Sequence, residues 1–287
     1  MRASRRALLA APFLIGGGGY GAYRGLEYWC TNVEAERLEL TAKNVALPGL
    51  TAPVRVLHIA DFHLEMPGTL AFLERAFAMG LAEKPDFVVI SGDFITDRLI
   101  DFDGYVRSLQ KLPAARPTYA VTGNHDGGVW SADRRGYADS SLVRKVIEHA
   151  GIEMLHNRNV NIEVRGQRIR LTGIADFWSG EARSETAFTG VTEGVTSLAL
   201  AHNPDSKEQL ARFPWDLLLV GHTHGGQWRV PIIDWPPYVP LLDRRFLEGL
   251  HPWQGRQIHV TRGVGSILHS RLNCRPEVSI LNLVPVA

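Results

Sequence analysis

Val54-Arg55-Val56-Leu57-His58-Ile59-Ala60-Asp61-Phe62-His63 is a short apolar, β-branched-rich run that stops at carboxylate and imidazole side chains. Its length and composition predict a buried strand over Val54 to Ala60. The same event recurs along the chain. Phe87 to Ile90 ends at Ser91-Gly92-Asp93, and Thr118 to Thr122 ends at Gly123-Asn124-His125-Asp126. Leu198 to Ala201 ends at His202-Asn203, and Leu217 to Val220 ends at Gly221-His222-Thr223-His224. Amphipathic helical patterns lie between several of these runs, at Leu70 to Leu81, Tyr105 to Leu112 and Leu142 to Ala150. Such alternation predicts an α/β layered domain. Open α/β sheets build their sites at the carboxyl ends of strands, which is where each run delivers its polar residues. Val160 to Ile174 reads as a hairpin about Arg165-Gly166-Gln167. Pro231, Pro236, Pro237, Pro240 and Pro252 make Pro231 to Trp253 an irregular loop rather than a helix.

Asp61, His63, Asp93, Asn124, His202, His222 and His224 form a hard-to-borderline donor set without thiolates, suited to Mn, Fe, Zn, Co or Mg. Side chains at i and i+2 of an extended segment point alike. Asp61-Phe62-His63 and His222-Thr223-His224 therefore each offer two ligands on one side. A strand-end carboxylate such as Asp93 offers one oxygen to each of two cations. Gly92, Gly123, Gly221, Gly225 and Gly226 permit the tight turns and close backbone approach that clustered ligands need. A lone D-x-H or H-x-H is weak evidence of a metal site. The order of the motifs carries the reading, with five of the eleven histidines inside them.

That order (D-x-H, G-D, G-N-H-D, a strand-end His, G-H-x-H) closely resembles the calcineurin-like metallophosphoesterase superfamily over roughly Val54 to Leu283. The resemblance implies two packed β-sheets flanked by helices, a four-layer αββα sandwich. It implies one divalent cation on Asp61, His63 and His224, a second on Asn124, His202 and His222, and Asp93 bridging the pair. Mn is the first choice of metal, ahead of Fe, Zn, Co and Mg. It further implies His125 beside the phosphate, as transition-state stabiliser or leaving-group acid, with Asp126 orienting it. Gly221-His222-Thr223-His224-Gly225-Gly226-Gln227, Arg262-Gly263-Val264-Gly265 and Arg271-Leu272-Asn273-Cys274-Arg275-Pro276-Glu277 look like one bacterial branch. Its members carry an N-terminal anchor or twin-arginine signal, and some are similar to enzymes cleaving the pyrophosphate of UDP-2,3-diacylglucosamine in lipid A synthesis. The implied activity is hydrolysis of a phosphodiester or pyrophosphate bond. An exported phosphatase or diesterase of envelope phosphate esters is the alternative. A metal-binding scaffold without turnover is a third reading, opposed by the complete ligand set and the intact His125.

The chain of 287 residues carries a formal net charge of +1, so nothing in its bulk favours nucleic acid as a partner. No obligate protein partner is indicated. Cys30 and Cys274 form no C-x-x-C pair and read as free thiols. At the N-terminus Arg2, Arg5 and Arg6 precede an uncharged run from Ala7 to Tyr23, and Ser4-Arg5-Arg6-Ala7-Leu8-Leu9 resembles a twin-arginine signal. The expected organisation is an anchor or signal over 1–30, a linker and lead-in over 31–53, and the catalytic domain over 54–287. This predicts association with a bacterial inner membrane, on the periplasmic side if the signal exports the domain and on the cytoplasmic face for a lipid A enzyme. His58 reads as a core histidine with a backbone partner; His149, His156, His251, His259 and His269 read as surface or structural. Arg262 and Arg271 are weaker candidates for phosphate contacts. Trp235, Tyr238, Leu241, Leu242, Phe246 and Trp253 suit either a lipid interface or a loop packed on the core.

Overall fold

The computed structural model describes residues 17–65 and 68–286. In chain order these residues form β1 (Glu39–Leu47), β2 (Val54–Ile59), β3 (Phe87–Ser91), β4 (Thr118–Val121), β5 (Glu153–Met154), β6 (Arg158–Val164), β7 (Gln167–Gly173), β8 (Ser197–Leu200), β9 (Leu217–Val220), β10 (Gly249–Trp253), β11 (Arg256–Val260) and β12 (Glu277–Pro285). They build two six-stranded mixed sheets, ordered β1-β12-β2-β3-β4-β5 and β10-β11-β9-β8-β7-β6. In the first, β2 to β5 run parallel and β12 is antiparallel to β2. In the second, β7, β8, β9 and β11 run parallel, with β6 and β10 antiparallel at the edges.

Strand alternation explains the layering. Val54, Val56, Phe87 and Val89 pack between the sheets against Leu198, Leu200, Leu217 and Leu219. Their neighbours Leu57, Ile59, Val88 and Ile90 face the opposite way, onto Phe72, Phe77, Tyr105 and Val146 of the flanking helices. Leu218 and Val220 do the same on the far side, meeting Phe188, Leu210, Trp215 and Phe246. With both faces buried, these strands read as continuous apolar runs. The helices Gly68–Ala82, Phe102–Leu109 and Ser141–His149 fall within a few residues of the periodicities that foretold them. The hairpin also forms, with Val164 opposite Gln167.

Two stretches differ from their reading. The lead-in contributes β1, paired in parallel with β12 over nine positions, so Glu39 to Leu47 belongs to the sheet and is not a tether. The proline-rich stretch ends in β10, whose Pro252 sits on the outermost strand, where a missing N–H costs no ladder bond. Gly17–Tyr28 is helical despite its glycines. Most of the signal-like segment lies outside the described residues; among them, no helix is long and apolar enough to cross a membrane. Cys30 and Cys274 are free and buried.

His58 is a core residue, but its partners are side chains. Its Nδ1 lies 2.9 Å from His259 Nδ1, and its Nε2 lies 2.9 Å from Ser91 Oγ. Burial, with the neighbouring ring adding, pushes His58 well below its ordinary range, and burial takes His259 down to about 4. In the unfolded chain both titrate near ~6.5. Below that pH the unfolded state takes up protons that the folded state refuses, so stability declines as pH falls towards 4. A His58→Leu/His259→Leu double variant is expected to flatten that decline by on the order of 3 kcal/mol. Thermal midpoints measured from pH 7 to 4 check this, and an unchanged slope in the double variant refutes it.

Candidate metal centre

All seven expected ligands sit just beyond the carboxyl ends of β2, β3, β4, β8 and β9, and all are buried. Five of them hold left-handed backbone: Asp61 (φ 56°), His63 (46°), Asp93 (57°), His222 (70°) and His224 (50°). Residues with a Cβ avoid this region, so the surrounding structure must enforce it. Loop-to-loop hydrogen bonds do so. Asp61 N donates to Gly92 O (2.9 Å), Phe62 N to Asp93 O (2.7 Å) and His222 N to Asp61 Oδ1 (3.0 Å). Gly123 is required by close approach, since a methyl there would run into the Asp93 carboxylate.

Two clusters take up six of the seven ligands, Asp61-His63-His224 and Asp93-His202-His222, and a third grouping, His63-Asp93-His125, joins them. In the first, His63 Nε2 and His224 Nε2 are 3.0 Å apart, with Asp61 Oδ1 3.6 Å from His224 Nε2. In the second, His222 Nδ1 is 3.2 Å from His202 Nε2, which is 3.1 Å from Asp93 Oδ2. The same Asp93 oxygen lies 3.5 Å from His63 Nε2, so one carboxylate stands between the clusters. Two nitrogens bound at ~2.1 Å to one cation and at a right angle would be about 3.0 Å apart. Both side-chain polar atoms of Asn124, and Nε2 of His222, are buried without a hydrogen-bond partner.

The charge balance fits divalent cations. Burial drives the imidazoles of His63 and His224 well below their ordinary range and His222 to about 3, leaving lone pairs exposed. Burial also pushes Asp61 up to about 7 and Asp126 up to about 8, with the Asp93 charge adding to both. Asp93 itself stays well below the carboxylate range, because His202, His125 and His63 outweigh its burial. His202 moves the other way, to about 10: the Asp93 carboxylate overcomes the cost of burying its charge. Cations bound here would offset the carboxylate charge crowded into a dry pocket.

His125 lies at the centre beside His63 and Asp93, and a backbone carbonyl, not Asp126, holds its ring. The His125 Nδ1–H is held by the Thr96 carbonyl at 2.5 Å. Asp126 instead accepts from the amides of Gly123 (2.8 Å), Asp93 (3.1 Å), Phe94 (2.7 Å) and Ile95 (3.3 Å), locking the β3 and β4 loops together. Its short side chain is saturated by backbone. The arginines also turn out structural. Arg271 is wholly buried and donates to the carbonyls of His224 (2.8 Å), Arg262 (2.9 Å), Gly263 (3.2 Å) and Gly265. Arg262 pairs with Glu39 at 2.6 Å. Arg271→Met is expected to cost ~3–5 kcal/mol by stranding those carbonyls. Chemical denaturation checks it, and a loss below 1 kcal/mol would count against the role.

The centre opens into a cavity of about 730 Å³, walled by Trp130, Trp178, Trp228, Tyr238 and Leu268. Trp130 packs on His125 with centroids 4.5 Å apart, and Trp178 meets His222 edge-on at 4.6 Å. Sequence reasoning missed these rings, since tryptophans in loops have no spacing signature. It also missed Asp176, buried beyond β7 with Oδ2 unpartnered and its carboxyl raised to about 6 by burial. A signal was available. Ile174-Ala175-Asp176-Phe177 repeats Ile59-Ala60-Asp61-Phe62, and both follow strand ends.

The chain is similar to several known proteins. The model of the calcineurin-like phosphoesterase family matches residues 54–226. Phosphodiesterase YaeI of Escherichia coli is 39% identical over 234 residues, covering 81% of this chain and 83% of that protein. The UDP-2,3-diacylglucosamine pyrophosphatase LpxG of Chlamydia muridarum is 24% identical, covering 97% and 95%. Among solved structures, the phosphopantetheinyl hydrolase PptH of Mycobacterium tuberculosis aligns over 77% of this chain and 92% of its own, at a TM-score of 0.49 and 12% identity. The matched motif region contains every residue of the two clusters, and the chain belongs to the calcineurin-like phosphoesterases, a family of metal-dependent phosphoester hydrolases.

Proposed function

We propose that the chain hydrolyses the phosphodiester or pyrophosphate bond of an amphiphilic substrate, with a glycolipid nucleotide such as UDP-2,3-diacylglucosamine as the sharpest candidate. The observation that carries this reading is a shared Asp93 between two ligand clusters, set at the floor of a cavity with an aromatic wall. Asp61, His63 and His224 would hold one cation and Asn124, His202 and His222 the other, with Asp93 serving both. Divalent cations held there, Mn first among them, would supply Lewis acidity and lower the pKa of a bound water towards neutrality. The chain's own residues do the rest. His125, fixed through Nδ1, turns its Nε2 edge free to stabilise the phosphoryl group or to protonate the leaving oxygen. The Trp130 and Trp178 rings shed water from one flank and offer flat surface to a leaving group.

The likeness to LpxG, stretched over nearly the whole chain, supports a glycolipid. The higher identity to the phosphodiesterase YaeI supports diester cleavage, which is also compatible with the second reading, an exported diesterase of envelope phosphate esters. Purified protein with Mn²⁺ assayed on UDP-2,3-diacylglucosamine beside bis-p-nitrophenyl phosphate separates them. Hydrolysis of the soluble diester alone, together with export of a C-terminal reporter fusion, would remove the lipid A reading. No hydrolysis of either would remove both.

A further inference from the structure

The cluster that suited either a lipid interface or a packed loop divides in two. Phe246 and Trp253 are buried, the latter stacked on Trp215 with centroids 5.6 Å apart. Between Val230 and Leu242 the opposite holds. Ile232 is 104% exposed, Leu242 93%, Tyr238 73%, Ile233 67% and Trp235 50%. Large apolar side chains crowded so fully into water mark an interaction surface. The segment also borders the centre, since Pro237, Tyr238 and Pro240 line the cavity. The Pro240 backbone lies against the His222 ring.

We infer that Val230 to Leu242 is a lipid-docking surface that sets the mouth of the cavity at a bilayer interface. Three observations select a bilayer over a second protein. The side chains are aliphatic tips beside a Trp and a Tyr, a mixture that fits the boundary between acyl chains and headgroups. Arg244 reaches over the Trp235 ring at 5.8 Å, and Arg245, paired with Asp243, follows it in sequence, so basic side chains border the apolar tips as they would beside anionic headgroups. The loop also springs from the place where the N-terminal element joins the fold. Arg271 N donates to Cys30 O (3.0 Å), and the next residue, Leu272, bridges Trp228 and accepts from Arg229 N (2.9 Å). Ahead of Cys30, the helix Gly17–Tyr28 shows Tyr20, Leu26 and Tyr28 to solvent, and the sequence before it is the apolar run led by three arginines. Two apolar elements thus leave the fold from one root. The inference goes beyond the proposed reaction, because the surface would bind lipid whatever ester is cleaved.

The buried native cysteines make the test selective. In the full chain, Leu242→Cys and Ile232→Cys are labelled with an environment-sensitive nitrobenzoxadiazole. Arg168→Cys, at the start of β7 and away from the centre, is the control. Vesicles of phosphatidylcholine and phosphatidylglycerol (3:1) should raise emission about twofold or more at 232 and 242 and leave 168 unchanged. Equal responses at all three positions, or none at 232 and 242, would overturn the proposal. So would an emission gain without vesicles that rises with protein concentration, which would identify a second copy as the occupant. Hydrolysis of bis-p-nitrophenyl phosphate should be unaltered in the labelled variants, and its loss would place these side chains in the catalytic fold instead. Failure of the parent to cleave any diester bears on the reaction and leaves the vesicle readout standing.

Discussion

Asp93→Ala is expected to abolish turnover and to lower the metal content of the purified protein, while leaving the sheets folded. Both expectations come from one atom. Asp93 Oδ2 lies 3.1 Å from His202 Nε2 and 3.5 Å from His63 Nε2, so it stands against a ring nitrogen of each cluster. The other oxygen has a structural task, accepting the His125 backbone N–H at 2.9 Å. Asp93→Asn separates the two duties, because the amide oxygen still accepts that N–H while the other oxygen gives way to a non-ligating NH2 group and the charge is lost. Turnover should fall by ~10³-fold or more in both variants, with metal binding weakened in both. His125 should be displaced only in the alanine variant. Elemental analysis, circular dichroism and Mn²⁺-dependent diester hydrolysis read the three properties independently. An Asp93→Asn protein that kept its full metal complement and its rate would show that the two clusters act separately.

The centre was legible because its signal is local. A run such as Val54 to Ile59 announces a strand, and the direction of the chain alone says that Asp61 and His63 stand at its carboxyl end. Repeated in both sheets, that logic assembles the clusters without knowledge of the pairing. Features fixed by distant pairing were not legible. β1 has three exposed residues in succession, Ala42 to Asn44, and reaches the core only at Val45 and Leu47; it becomes a strand because β12, more than two hundred residues later, lies alongside. Asp126 misled for a related reason. Adjacency to His125 made it the natural orienting group, yet a buried aspartate is satisfied by whichever amides surround it, and four backbone N–H groups from two loops reach it first. The orienting acceptor, the Thr96 carbonyl, is a backbone atom and leaves no trace in residue identity. Arg271 is the converse. Its guanidinium looks like a phosphate fork in sequence, and in the fold its two terminal nitrogens are taken up by loop carbonyls behind His224.

Removing the His125 ring should leave the metals in place and slow the reaction. Its contacts argue for a group aimed at substrate: Nδ1–H is anchored on Thr96 O, the ring stands edge-on to His63 at 4.7 Å, and Trp130 packs on its face. An imidazole fixed on one nitrogen has the other to spend on a phosphoryl or leaving oxygen. His125→Ala is accordingly expected to lower kcat by ~10²–10⁴-fold, the range for a positioned acid or base. The proximity of His125 to His63 and Asp93 leaves a rival assignment, in which it is a ligand. Metal content decides between them, since a ligand loss empties a site and a catalytic loss does not. Leaving groups then divide the catalytic role. If His125 protonates the departing oxygen, p-nitrophenyl esters, whose phenolate leaves unaided, should suffer far less from the substitution than alkyl esters. If it stabilises charge on the phosphoryl group, both classes should slow alike. Loss of both metals in His125→Ala would show that the ring belongs to the coordination of the centre and not to the chemistry above it.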